Sequence, residues 1–270
     1  MGIVQRGEAF GQLVEIMQRL LAPDGCPWDR EQTFETLKGF LIEEAYEVIE
    51  AIDDQDIAGH CEELGDLLFQ IVFQSELRAA DGHFGIDDVC KAIATKMIRR
   101  HPHVFADTKV KDSDEVLANW GKIKADEHEK KGKKRRTLDG VPLDLPALLR
   151  AQRIGEKAAA VGFDWPDAKG VRLKIDEELR EIEEAVANGK PEEIEHEVGD
   201  LLLAVSRYAA KLGVAPEDAL RSAVRRFTTR FEAVEDRVAA AGQLVKDVGL
   251  EELDRHWNEV KRDALTVPKK

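Results

Sequence analysis

Five acids recur in this chain at one fixed offset, and that recurrence limits what the chain can fold into. Glu43, Glu44, Glu47, Glu63 and Asp66 are matched by Glu177, Glu178, Glu181, Glu197 and Asp200, each 134 positions further on. A Leu-Leu pair follows each set, Leu67-Leu68 and Leu201-Leu202. Five ungapped matches make this an internal duplication, so the chain is read as two copies of one unit.

On a helix of about 100° per residue, Glu43, Glu44 and Glu47 share one arc. Leu41, Ala45, Val48 and Ile52 share another, so this segment reads as an amphipathic helix. From Glu63 onward Leu64, Leu67, Leu68, Phe69, Ile71, Val72 and Phe73 surround the helix. A helix apolar on most sides is expected to be buried. Glu63 and Asp66 lie one turn apart on it, so at least one carboxylate is expected to point inward. A buried carboxylate is costly unless it is protonated, paired with a cation or bound to a metal. No Lys or Arg lies between Glu43 and Gln74, so the charge must be met from elsewhere.

Punctuation divides the rest into helices. Phe10 to Leu21 reads as a helix that stops at the Pro/Gly turn Ala22 to Pro27. The acidic helix is expected from about Thr33 to Ile52 and the buried one up to about Ala80. Asp87 is the expected cap of the next helix, which ends before Pro102. A further helix is expected over Ser113 to Lys124. The second copy resumes with Ala147 to Ala160, and Gly162-Phe163-Asp164-Trp165-Pro166 parallels the earlier turn at Trp28. Asn188-Gly189 ends the second acidic helix, Pro191 opens the buried-type helix, and Pro216 opens another. Leu253 to Leu265 is the last. No stretch alternates with period two, so the fold expected is all-α: two tandem helical bundles, residues 1–128 and 147–270. The basic, Pro-containing linker 129–146 joins them, and its run Lys130 to Arg136 reads as a solvated like-charge block.

A net charge of −14 argues against binding to nucleic acid or to a membrane surface, and for a cation requirement. No apolar run is long enough to span a membrane, and the N-terminus lacks a signal-peptide core. Cys26, Cys61 and Cys90 are widely spaced, which indicates neither a zinc site nor a disulfide framework and fits a reducing cytosol.

Four or five carboxylates from two neighbouring helices suit hard cations, Mg²⁺ above all with Mn²⁺ as a substitute; Mg²⁺ commonly bridges to substrate phosphates. Each acid set is followed by a basic pair at i,i+4, Lys96 and Arg100 and then Arg226 and Arg230. Next comes Trp-x-x-x-Lys, Trp120 and Lys124 and then Trp257 and Lys261. Cations beside carboxylate-held metal suit a polyphosphate. An indole there can stack on a base, although a Trp at helical spacing is more often core.

These motifs, EExxE and then ExxD within E-[LV]-G-D-L-L, resemble the MazG-type nucleoside triphosphate pyrophosphohydrolases in their two-repeat form. The resemblance extends to Gly25 through Thr33, Arg99 through Phe105, Leu145 through Leu148 and Gly162 through Trp165. It implies an all-α homodimer that hydrolyses ribo- and deoxyribonucleoside triphosphates to monophosphate and pyrophosphate with Mg²⁺ and broad specificity. It also implies that the second repeat holds the active site. Carried over, Glu178, Glu181, Glu197 and Asp200 are metal ligands, and Arg226, Arg230, Trp257 and Lys261 hold the nucleotide. The first-repeat counterparts are Glu44, Glu47, Glu63 and Asp66, with Lys96, Arg100, Trp120 and Lys124. Glu178 or Glu44, where not fully engaged by metal, is the candidate to take the proton of the attacking water.

Two positions depart from the family pattern Asn-x-Lys-Phe-x-x-Arg-Phe: Val224 stands at the Asn and Arg226 at the Lys. The first repeat has Ala94 at the Asn but keeps Lys96. Two rival readings use the same acids. A di-iron carboxylate bundle wants two Glu-x-x-His motifs, and Glu193-x-x-His196 supplies one. A non-enzymatic helical interaction or regulatory protein would hold the acids as structural groups.

Overall fold

The computed structural model describes residues 7–113, 115–116, 119–121, 123, 127 and 136–266, with side chains through 263. Among these residues the regular structure is helical and no strand occurs. The chain divides into two compact units, Met1–Lys131 and Gly132–Lys270.

In the first unit the elements are α1 (Glu8–Leu21), α2 (Pro27–Glu31), α3 (Phe34–Asp54), α4 (Ile57–Ala80), α5 (Ile86–Arg100) and α6 (Pro102–Phe105). Local chemistry sets their ends. Thr33 and Thr36 form a reciprocal cap at the start of α3: Thr36 N–H donates to Thr33 Oγ1 at 3.3 Å and Thr33 N–H donates to Thr36 Oγ1 at 2.9 Å. Asp56 caps α4 by accepting from the backbone N–H groups of Ala58 and Gly59. Asp87 is not the cap of α5. The N-cap is Gly85, whose N–H donates to Asp88 Oδ2 at 3.2 Å, so the acid one residue later does the capping.

The α3–α4 break turns on Gln55, in the left-handed region at φ 57°. The duplicate position is Gly189, at φ 64°. The second copy thus meets the same turn with the residue that adopts it without a Cβ penalty. Gln55→Gly is therefore expected to stabilise the first unit by about 0.5–1 kcal/mol, the left-handed penalty less the added chain entropy of glycine. A urea denaturation midpoint that stays level or falls would refute this.

Helix α4 is the central element of the first unit: α3, α1 and α5 all pack on it. The core is Met17, Leu37, Val72, Phe73 and Ile86, flanked by Phe10, Leu13, Phe40 and Phe69 among others. Complete burial of side chains such as Met17 and Phe73 contributes about 2–3 kcal/mol each. The expectation that α4 is enclosed on nearly every side does not hold. Leu64 is 47% and Ile71 40% exposed, because α3, α1 and α5 leave one side of the helix uncovered.

The second unit repeats the scheme with α7 (Ala147–Ala159), α8 (Ala168–Ala187), α9 (Pro191–Lys211), α10 (Pro216–Ala240), a 3₁₀ turn at Val245–Asp247, and α11 (Leu250–Thr266). Helix α9 packs on α8, α7 and α10. A separate apolar cluster of Val234, Val238, Val248 and Val260 joins α10 to α11, with Trp257 and Leu253 against it. Leu202, Leu203 and Val205 on α9 remain exposed, as on α4. No described helix is long and apolar enough to cross a membrane.

Candidate metal centre

Each antiparallel-type helix pair, α3 with α4 and α8 with α9, brings its acids together. In the first unit, Glu44, Glu47 and Glu63 offer carboxylate oxygens within 4.8 Å of one another. Burial, then the charges of Asp66 and Glu47, raise the Glu44 carboxyl above its ordinary range. Burial and then Glu47 and Asp66 raise Glu63 likewise. Asp66 itself is exposed and stands outside that group of three, although its charge reaches both neighbours.

In the second unit Glu178, Glu181 and Glu197 come within 4.8 Å, and Glu197 is shared with a second group of His196, Glu197 and Asp200. The acid that goes inside is not on the apolar-type helix, as the sequence led one to expect, but on the acidic one: Glu178 is 2% exposed, whereas Asp200 is 45% exposed. The reason is local. Val171 and Ala185, buried on α8, turn the Glu178 side of that helix toward α9.

Lys174, one turn before Glu178, places its ammonium 2.6 Å from Glu178 Oε1 and 2.9 Å from Glu177. Hydrogen bonds to Glu178 and then Glu177 hold the Lys174 ammonium well above its usual pKa. The other oxygen, Glu178 Oε2, is buried with no hydrogen-bond partner. A buried carboxylate with an orphaned oxygen, grouped with two further carboxylates, is an all-oxygen donor set of the kind hard divalent cations take, so the residues fit such an ion. Lys174 has no equivalent in the first repeat: the duplicate position is Phe40, part of the apolar core, with Trp28 edge-on against it at 5.8 Å. The i,i+4 spacing of Lys174 and Glu178 is the one sequence signal of this pair.

The turn before α8 is fastened to α9. Asp164 takes Arg207 at 2.6 Å and Lys211 at 2.7 Å, and Lys211 also donates to the Trp165 carbonyl at 2.5 Å. Burial pushes the Asp164 carboxyl up, but the Lys211 and Arg207 hydrogen bonds outweigh it and hold the group below its ordinary value. Arg207 passes so close to α7 that a Cβ on Gly155 would lie 2.5 Å from its Cδ and Nη1. A Cβ on Gly170 would lie 2.7 Å from Trp165 Cδ1. Two glycines therefore make room for the anchor and for the indole.

The basic residues fall elsewhere. Arg226 is exposed and Arg230 half-buried on α10. Trp257 lies against Phe227 at a ring separation of 5.0 Å, within the α10–α11 cluster, and Lys261 is exposed one turn on. In the first unit Arg100 is engaged by Glu127, with Nη2 at 2.7 Å from Oε2; hydrogen bonds from Arg100 outweigh burial and bring Glu127 down to about 2. Lys96 is exposed, and Trp120 rests edge-on against His101 at 4.9 Å. Lys124, and Lys130 through Arg135 of the basic run, lie outside the described residues. His196 sits 3.4 Å from Glu197 and 3.5 Å from Asp200, while Glu193 pairs with Lys190, so the Glu-x-x-His motif does not act as one ligand pair.

The family model described as the MazG nucleotide pyrophosphohydrolase domain matches residues 32–105 and 168–234, once in each copy. The nucleoside triphosphate pyrophosphohydrolase of Escherichia coli (strain K12) is 45% identical over 261 residues, covering 95% of this chain and 98% of its own. The nucleoside triphosphate pyrophosphohydrolase/pyrophosphatase MazG of Thermotoga maritima is 45% identical over 259 residues, with 95% and 97% covered. The crystal structure of a mazG-related protein from Thermotoga maritima is 29% identical, covers 43% of this chain and 98% of its own, and superposes with a TM-score of 0.38. Both halves of the duplication match one domain, and full-length relatives share its name. The chain belongs to the MazG nucleotide pyrophosphohydrolase family, in its two-repeat form.

Proposed function

We propose that the chain hydrolyses nucleoside triphosphates to nucleoside monophosphate and pyrophosphate, at the carboxylates of the second repeat, with Mg²⁺ or in its place Mn²⁺. The observation that carries this reading is Glu178: a buried carboxylate with one oxygen on Lys174 and the other orphaned beside Glu181 and Glu197. The names of the full-length relatives support the reaction. Glu178, Glu181, Glu197 and Asp200 would hold the cation. When bound, it supplies Lewis acidity and neutralises phosphate charge.

The chain's own side chains do the rest. Water attacks the α-phosphorus, the bond to the α,β-bridging oxygen breaks, and pyrophosphate leaves with that oxygen. Glu178, where a cation does not take its Oε2, is the candidate to accept the water's proton, since that oxygen has no hydrogen-bond partner. Arg226 and Arg230, as the family resemblance implies, would bring positive charge to the departing pyrophosphate. Broad base and sugar range and a cytosolic setting complete the reading. A homodimer belongs to the same reading, supported by the exposed apolar side chains of α9, Leu202, Leu203 and Val205.

Purified protein is expected to release pyrophosphate from nucleoside triphosphates in Mg²⁺ and to stop on addition of EDTA, read by anion-exchange chromatography. Orthophosphate as first product, or turnover that survives EDTA, would overturn the assignment.

A further inference from the structure

In the first unit one carboxylate takes two guanidinium groups. Arg99 and Arg100, adjacent in the last turn of α5, both reach Glu127. Arg100 Nη2 donates to Oε2 at 2.7 Å and its Nε to Oε1 at 3.3 Å, while Arg99 Nε donates to Oε1 at 2.8 Å. We propose that Glu127 is an internal stand-in for a polyphosphate: it occupies the arginine pair of the first repeat and keeps that repeat from taking nucleotide. The inference rests on the reading above, in which Arg230, the counterpart of Arg100, meets phosphate charge. It adds what silences the other copy.

Three observations carry it. First, the arrangement is built for an oxyanion. Two planar forks put N–H donors on both oxygens of one group, and such forks suit a phosphate as well as a carboxylate. The side chains of Arg100 and Glu127 are each 16% exposed, so solvent weakens this pair less than an ordinary surface ion pair. Second, the charges do not balance. One guanidinium would neutralise Glu127, and the second leaves a positive charge over, which a polyphosphate would use. Third, the copy with the buried Glu178 keeps the basic pair and lacks the rest of the device. Aligning Lys96 and Arg100 with Arg226 and Arg230 sets Thr229 against Arg99. Aligning Trp120-x-x-x-Lys124 with Trp257-x-x-x-Lys261 sets Ala264 against Glu127. The second repeat thus has neither the added arginine nor the acid that the two arginines hold.

The test uses the full chain with Mg²⁺ and titrates it by calorimetry with α,β-methylene-ATP, in which the bond that the reaction breaks is replaced, and separately with inorganic tripolyphosphate. The parent is expected to bind a single α,β-methylene-ATP per chain, at the second repeat. Glu127→Gln, which keeps the shape of the side chain, and Glu127→Ala are expected to gain a second site. Binding at that site should be at least about tenfold tighter than in the parent, the effect of one charge-assisted hydrogen bond. Adding Arg100→Ala to Glu127→Gln should remove the gained site again. A gained site that also takes tripolyphosphate holds the phosphates alone, and one that takes only α,β-methylene-ATP holds the whole nucleotide; both support the proposal. No gained site in either folded variant, or a second site already present in the parent, would overturn it. So would failure of both variants to fold, since Glu127 would then be a structural partner of the arginines. A parent that binds nothing while Glu127→Gln binds at the first repeat would sink the second-repeat reading and leave this inference standing. No binding by parent or variant would remove both.

Discussion

Glu197→Gln combined with Asp200→Asn is expected to cut nucleoside triphosphate turnover by more than about 100-fold. That exceeds what loss of a group that merely orients a ligand costs. The matching pair in the first repeat, Glu63→Gln with Asp66→Asn, should leave most of the turnover. The two repeats share the five acids but not their surroundings. In the second, Glu178 is buried and faced by Lys174; in the first, the same position as Lys174 is Phe40, and Trp28 leans on it. Arg100 is occupied by Glu127, whereas Arg226 stays exposed to solvent on α10. Val224 in place of Asn removes hydrogen bonds from the second repeat, a loss of about 1 kcal/mol each that weakens binding without removing the chemistry. Both double variants should melt, without metal, at or above the temperature of the parent. Glu63 sits among acids whose charges raise its carboxyl, so neutralising it relieves repulsion. If the first-repeat pair abolishes turnover and the second-repeat pair spares it, catalysis belongs to the N-terminal repeat. A large drop in melting temperature for both would mark the acids as structural, the outcome the non-enzymatic reading requires.

Lys174→Met should destabilise the metal-free protein by about 3 kcal/mol and make that stability depend on divalent cation. Glu178 is 2% exposed, and Lys174 is the positive charge in contact with it. Breaking a buried pair by removing one partner leaves an uncompensated charge, which costs about 3–5 kcal/mol; the lower figure is used because Lys174 itself is 35% exposed. Saturating Mg²⁺ should restore much of the loss, because a cation at Glu178 supplies the missing charge and binds the native state alone. Denaturation with and without Mg²⁺ measures both effects. An unchanged metal-free midpoint would mean that Glu178 needs no cationic partner, and with it the strongest sign of a metal at this position would go.

Much of this site could be read from residues alone. The offset of 134 points to the acids that the structure groups, Glu44, Glu47 and Glu63 and then Glu178, Glu181 and Glu197, and Pro191, Pro216 and Gly189 mark element ends that the structure keeps. The parts that were missed depend on tertiary packing. Periodicity shows α4 and α9 to be apolar on most sides but not which side their neighbours leave open, so it points inward at Glu63 or Asp66, whereas among the described acids of the two clusters Glu178 is the one that is buried. The anchor Asp164–Arg207–Lys211 joins residues 43 and more positions apart, and no local spacing announces it. Trp257 carries two readings in sequence, stacking platform or core; it packs against the α10–α11 cluster and also lies 5.0 Å from the exposed ring of Phe227.

The central claim is that water attacks the α-phosphorus within the second-repeat site, and isotope labelling tests it most directly. Hydrolysis of ATP in H₂¹⁸O with Mg²⁺, followed by mass spectrometry of the products, is predicted to place one ¹⁸O in AMP and none in pyrophosphate. Label in the pyrophosphate, or in orthophosphate released alongside ADP, would contradict it.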